Sequence, residues 1–210
     1  IQSATGADGL YVGAVGRFAT ALNGSPTNSG SNQEGAWNWA GLFTDEFKSG
    51  DTFSQRNDAD QRNLQDNDAL VTQIWAGLQQ GGGDSRTAAD ALVKFDPTAK
   101  AKIGEMYFEI GFLEMTLGQE FCNGIPLGFT VGGTPQYTAP LTTQDVFVAA
   151  SARLDTALSY VTGATDAASV QVKNAALVAK ARTLVDEGQY AAAATLVSSV
   201  PTNFQFVANY

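Results

Sequence analysis

The stretch from Thr98 to Glu120 constrains this chain more than any other. Ile103, Met106, Tyr107, Ile110, Leu113 and Leu117 recur at three- and four-residue steps, and Phe108, Phe112 and Met115 add a second apolar stripe. A helix that is apolar on two sides belongs in the middle of a bundle, with more than one neighbour. Gly104, Gly111 and Gly118 fall seven residues apart within it. Seven residues is nearly two full turns, so the three share one face. Glycine inside a helix costs about 1 kcal/mol against alanine. Such a seam is expected where another helix backbone packs unusually close.

Helical periodicity continues on both sides. Tyr11, Ala14, Val15, Phe18, Ala21 and Leu22 line an opening helix, which Asn23-Gly24 and Pro26 stop. Residues 23–35 are polar and Gly/Ser-rich and read as a surface loop. Residues 36–57 carry Trp37, Trp39, Phe43, Phe47 and Phe53 without a clear period, which predicts loop with short helical turns. Helix is expected to resume near Asp60, with Leu64, Val71, Ile74, Trp75 and Leu78 as its stripe. Gly81-Gly82-Gly83 is expected to interrupt or weaken it before a further short helix face of Ala88, Leu92 and Phe95, which Asp96-Pro97 ends. Residues 123–140 form a Gly/Pro-rich connection, within which Phe129 to Tyr137 allow a short strand or hairpin.

Thr142, three residues before Asp145, is an N-terminal capping pattern. The helix it opens carries Phe147, Ala150, Leu154, Leu158 and Val161, and Gly163 closes it. Val172, Ala175, Ala176, Ala179 and Leu184 then line one helix, and Gly188 sits where a C-terminal cap belongs. Tyr190, Ala193, Ala194, Val197 and Val200 line its partner, which Pro201 stops. Helix, Gly-x-Tyr turn and Ala-rich helix is the pattern of a tetratricopeptide-like hairpin, although no clean 34-residue repeat runs through the chain. The expected fold is all-α: tetratricopeptide-like helix pairs with long surface loops, in a single domain over residues 1–210.

Composition excludes several functions. The net charge is −9 with only 12 Lys and Arg, scattered along the chain, so the clustered cations that neutralise nucleic-acid phosphates are missing. There is no His, which removes the commonest general base and the commonest metal ligand. One Cys, Cys122, excludes an internal disulfide and a multi-Cys metal site. No apolar run approaches the length of a membrane-spanning helix. No cofactor is expected.

Several segments together resemble the SusD/RagB family. Residues 105–128 (EMYFEIGFLEMTLGQEFCNGIPLG) look like that family's central helix leading into its aromatic-Gly-x-Pro-Leu turn, with Asn123 to Leu127 supplying the turn here. Residues 142–158 (TTQDVFVAASARLDTAL) are similar to the helix that follows. Residues 172–200 resemble the next helical pair, with Lys173, Ala176, Ala179, Ala181-Arg182, Gly188 and Tyr190 in order, and residues 36–62 look like its surface loops. The resemblance covers nearly the whole chain. It implies a lipid-anchored, non-catalytic binding protein at the outer-membrane surface of a Gram-negative bacterium. Such a protein captures oligosaccharides or other nutrients and caps a TonB-dependent transporter. Members are usually roughly twice as long and begin at a lipidated Cys, so this chain is expected to be truncated at both ends. The alternative is a helical scaffold that assembles with other proteins or with itself.

Trp37, Asn38 and Trp39 lie in the loop-rich region. Aromatic faces stack on sugar rings and amides hydrogen-bond hydroxyls, so these three, with Phe53, Gln55 and Arg56, are the candidate ligand-binding residues; Asp58 and Arg62 could add polar contacts. If the segment is extended, alternation puts both tryptophans on one side. The competing reading is that both pin loops to the core. Asp58, Asp60, Asp66 and Asp68 cluster, but Arg56 and Arg62 intrude and the Gly of a calcium loop is missing; solvated charge or helix capping is expected. Glu105 and Glu109, four apart beside Lys102, are expected to form a surface ion-pair row rather than a glycosidase pair. Asp45-Glu46 stays open as a carboxylate pair. Cys122 reads as a small hydrophobic residue without a function.

Overall fold

A computed structural model describes residues 2–25, 34–50, 52–65, 67–131 and 134–208 of the chain. Among them run α1 (Ala4–Asn23), α2 (Ala36–Phe43), α3 (Ser54–Asp60), α4 (Ala69–Phe95) and α5 (Lys100–Glu120). A two-stranded hairpin, β1 (Gly128–Val131) and β2 (Thr134–Tyr137), precedes α6 (Thr143–Val161), α7 (Ala167–Asp186) and α8 (Tyr190–Leu196). The fold is all-α apart from that hairpin.

Helix α5 is the hub. Helices α4, α6 and α7 all pack on it, α1 packs mainly on α4, and α8 packs on α7. Ile103, Met106, Ile110, Leu113, Met115 and Leu117 are fully or almost fully buried, as two apolar stripes require. The glycine seam faces α6. A Cβ on Gly111 would lie 2.8 Å from Leu154 Cγ and 3.0 Å from the Ala150 carbonyl oxygen. One on Gly118 would lie 2.7 Å from the Phe147 ring, and one on Gly104 3.1 Å from Val161. Helix α6 therefore sits closer to α5 than any side chain on that face would allow.

Local signals start and stop the elements. Thr142 Oγ1 accepts from the Asp145 N–H (3.1 Å), Asp68 from Leu70 (2.8 Å) and Asp166 from Ser169 (3.0 Å), each satisfying an N-terminal donor that the helix leaves unpaired. Gly188 takes a φ of +75° after α7, the left-handed geometry that ends helices. In the 121–142 connection, Ile125 bridges Leu141, and Ile125 and Leu127 are buried. The Gln79 side chain of α4 donates to the Pro126 carbonyl (2.6 Å) and accepts from the Gly128 N–H (3.1 Å), tying the hairpin to the bundle. The hairpin pairs Gly128 with Tyr137 and Val131 with Thr134.

Three expectations need correction. Gly81-Gly82-Gly83 does not interrupt a helix; α4 runs unbroken for 27 residues. Tertiary packing overrides the weak local propensity, since Gly81 sits at the junction with α1 and α5, where a Cβ would meet Leu113 at 2.9 Å and Ala21 at 3.7 Å. Helix also does not resume at Asp60. It stops there, and Leu64 is exposed between α3 and α4. Arg62 takes a φ of +56°, which no helix tolerates, and pairs with Asp45, itself at +60°. Finally, α8 ends at Leu196 rather than reaching Val200, and the chain continues from Phe204 as a tail without regular secondary structure. Most of the loop expected over residues 23–35 lies outside the described residues.

The packing sorts the glycines. Gly111→Ala forces backbone-level adjustment against α6 and is expected to lower stability by about 1–3 kcal/mol, more than the ~1 kcal/mol of helix propensity it gains. Gly83→Ala meets nothing within 4 Å and is expected to raise stability by about 0.5–1 kcal/mol. Urea unfolding midpoints of the two variants should move in opposite directions from the parent.

Candidate functional site

The candidate residues gather around α2, but not as one surface. The segment is helical, not extended, so residues two apart point in nearly opposite directions at about 100° per residue. Trp39 is 5% exposed and turns into the core, where its ring meets Phe43 edge-on at 5.2 Å. Trp37 is 44% exposed and turns outward. The expectation that both share a side is overturned by helix phase. The reading in which a tryptophan pins the loop fits Trp39 and not Trp37.

Trp37 stands at a cavity of about 400 Å³. Its walls are Phe18 of α1, Phe108 and Phe112 of α5, Arg182 of α7, and Phe204 and Phe206 of the C-terminal tail. These rings brace one another: Phe18 contacts Phe112 edge-on at 5.7 Å, and Phe206 contacts Phe108 at 4.9 Å. The Arg182 guanidinium lies 5.4 Å from the Phe112 ring centroid, a cation–π distance. The result is an aromatic hollow with one cation and one half-exposed indole.

Asn38 faces a second cavity of about 390 Å³, on another side of α2, which Arg56 also lines. Both residues converge on Glu34, which is 4% exposed. Arg56 Nε donates to Glu34 Oε1 (2.6 Å) and Asn38 Nδ2 to Oε2 (2.5 Å). Phe53, 43% exposed, supports the Arg56 guanidinium at 5.2 Å. Gln55 is half-buried on α3 and lines neither cavity. Of the six candidates, Trp37 thus serves one hollow, Asn38 and Arg56 serve another with Phe53 behind them, Gln55 serves neither, and Trp39 belongs to the core.

Sequence reading missed Glu34, Phe204, Phe206 and Arg182. The Phe-Gln-Phe alternation at 204–206 carried a usable signal, because residues two apart in an extended segment share a side. Glu34 carried none, being the one acidic residue of the polar stretch 23–35. The recruitment of Phe108 and Phe112 to a cavity wall is equally unreadable from a core stripe.

The carboxylates of α5 correct another expectation. Glu105 and Glu109 are not a surface ion-pair row. Lys102 pairs with Asp8 and rests over the Tyr11 ring. Glu105 instead accepts from the Tyr11 hydroxyl (2.6 Å), and burial raises its pKa. Burial also pushes the Tyr11 phenol up, with Glu105 adding to it. Glu109 is 1% exposed, accepts from Ser85 Oγ (2.7 Å), and is held well above the ordinary carboxylate range by burial. Glu114 is also buried; burial raises its pKa and the nearby Arg153 and Arg86 oppose the rise. All three are committed to helix packing, and neither Glu105 nor Glu109 lines the cavities beside α2.

Asp68 is the helix cap that the acidic cluster suggested, while Asp66 lies outside the described residues. No cluster of metal-binding side chains occurs among the described residues. Cys122 is exposed rather than packed as a small hydrophobe. No helix among them is long and apolar enough to cross a membrane. Comparison with protein-family models, with curated proteins and with solved structures returns no match.

Because folding raises the Glu109 pKa, protonation is tied to stability. The contribution of the neutral buried acid is fully present below the ordinary carboxylate pKa. It is lost as pH rises through the elevated folded value, because the unfolded chain releases that proton first. Glu109→Gln keeps an acceptor for Ser85 and removes the titration. Thermal melts should show the variant more stable than the parent at pH 8, by about 2–4 °C if the effect is ~1 kcal/mol, with the gap closing toward pH 4.

Proposed function

We propose that the chain is a non-catalytic nutrient-binding protein whose ligand is an oligosaccharide, held beside α2. The observation that carries this reading is Trp37, a large aromatic left 44% exposed at the mouth of an aromatic hollow. A lone indole in water needs a reason when it borders a preformed cavity. A hollow of about 400 Å³ falls within the usual range for small-ligand sites, about 300–1,000 Å³. Pyranose rings offer C–H faces that stack on Trp and Phe, and hydroxyl edges that Arg182 and Thr202, which line the hollow, can bind.

The residues quoted for the SusD/RagB resemblance support the same reading. On that resemblance, the protein works at the outer-membrane surface beside a TonB-dependent transporter, and any membrane attachment is through a lipid anchor. Binding without turnover is supported by three acids of α5, since Glu105, Glu109 and Glu114 are hydrogen-bonded or ion-paired within the helix packing.

One observation favours the second reading, a helical assembly scaffold. The groove along α7 and α8 is lined by Val178, Val185, Tyr190, Ala194 and Val197, and Tyr190 is 68% exposed. Light scattering separates the two: a concentration-dependent dimer abolished by Tyr190→Asp would favour assembly.

The direct test is titration of neutral and acidic oligosaccharides by calorimetry and intrinsic fluorescence. A bound glycan should quench the Trp37 share of the emission, and Trp37→Ala should weaken binding by about tenfold, a loss of ~1.4 kcal/mol. Unchanged affinity in Trp37→Ala, or no glycan that binds, would sink the reading.

A further inference from the structure

The polar cavity on the Asn38 side of α2 has a chemical character that the aromatic hollow lacks. Its floor is already neutralised. Both oxygens of Glu34 are engaged, one by Arg56 and one by Asn38, so this carboxylate presents little free acceptor capacity to an incoming group. Lys48, which lines the same cavity, forms no ion pair among the described residues. Among the described residues Ser49 Oγ is buried without a hydrogen-bond partner, and Ser49 lines the same cavity.

The cavity also has an aromatic wall. Phe47 is 48% exposed and lines it. The ring is seated directly on α2: a Cβ on Gly41 would come within 2.3 Å of it, and the Phe47 N–H donates to the Gly41 carbonyl at 2.9 Å. Glycine at 41 is therefore what lets this ring lie against the helix. Phe47 with its exposed ring, Lys48, which has no ion pair among the described residues, and Asn38 with its spare carbonyl oxygen all line a space of about 390 Å³.

The two cavities lie side by side. Asn23 lines the polar one and Ala208 the aromatic one, and Asn23 Nδ2 donates to the Ala208 carbonyl (3.3 Å). In a chain of net charge −9, an anionic group is repelled by most of the surface, and an unpaired lysine beside hydrogen-bonding groups is where it can be received.

We propose that this polar cavity is a subsite for a sugar unit bearing a carboxylate, with Lys48 pairing the carboxylate, Phe47 stacking on the ring, and Asn38 binding a hydroxyl. The assignment rests on the oligosaccharide reading above and narrows it to acidic glycans.

The test is calorimetric titration of the full chain with a short oligogalacturonate and with its methyl ester, which keeps the ring and removes the charge. The acid should bind about tenfold tighter than the ester at low salt, as a charge-assisted contact predicts. That advantage should shrink as salt shortens the screening length. Lys48→Ala should bring acid and ester to equal affinity, while Lys48→Arg retains the difference. Phe47→Ala should weaken both ligands. Lys48 is exposed, so its replacement leaves the fold intact, and a matching thermal melt checks this. Equal affinity for acid and ester, or a preference that survives in Lys48→Ala, overturns the acidic subsite. If neutral glycans then still bind in a Trp37-dependent way, the broader reading stands without it. If no saccharide of either kind binds, both fall together.

Discussion

The close contact between α5 and α6 sets the geometry on which the other elements depend. Two glycines on one face of α5, Gly111 and Gly118, let Leu154 and Phe147 of α6 come within distances that no Cβ permits, and Gly104 on the same face leaves only 3.1 Å to Val161. Glycine in a helix costs about 1 kcal/mol each against alanine, and the seam recovers this through dispersion contacts that grow steeply as backbones approach. Once α6 is seated there, α7 reaches both helices, and α4 takes the opposite side of α5. The hub then has neighbours all round, which is why its two apolar stripes are buried together.

The α4 side of α5 is built differently. There the helix carries Glu109 and Glu114, both buried, with Glu105 nearby bonded to α1 through Tyr11. Ser85 and Arg86 of α4 reach the first two, and Arg153 of α6 approaches Glu114 at 3.6 Å. Buried polar groups add little net stability, but each has narrow geometric demands. A glycine seam permits sliding; a set of directional bonds does not. The two faces divide the work, one giving proximity and the other register. The same register places Phe108 and Phe112, so the wall of the aromatic hollow is held by the most constrained helix in the molecule.

Much of the scaffold was legible in the sequence because its causes are local or periodic. The stripes of α5, the seam, the Thr142 cap, Gly188 and the 129–137 hairpin were all readable from spacing and residue type. What escaped was decided by distant partners. The Gly81–Gly83 stretch looks like a break until α1 and α5 are known to press on Gly81. Glu105 and Glu109 beside Lys102 look like a solvated row until Asp8 takes the lysine and Tyr11 and Ser85 take the acids. The candidate site was legible as a region and not as a surface: residue type marked Trp37, Asn38 and Arg56, but only the helical phase of α2 shows that they face two cavities. Glu34, where Asn38 and Arg56 meet, had no pattern to betray it.

That phase has a consequence for recognition. Had the Trp-Asn-Trp segment been a strand, both indoles would have shared one side with the amide opposite, giving a uniform stacking platform. As a helix of eight residues, α2 instead buries one indole as its anchor and turns the other outward. It presents the amide in a third direction. The buried Trp39 fixes the rotation of the helix, and that rotation fixes which side chain meets which cavity. A single short element thereby separates an aromatic cavity from a polar one by only about 100° of turn. The polar cavity is lined from the loop residues 44–50 by Phe47, Lys48 and Ser49, whereas the aromatic wall is held by the α5 hub, so the two can vary independently.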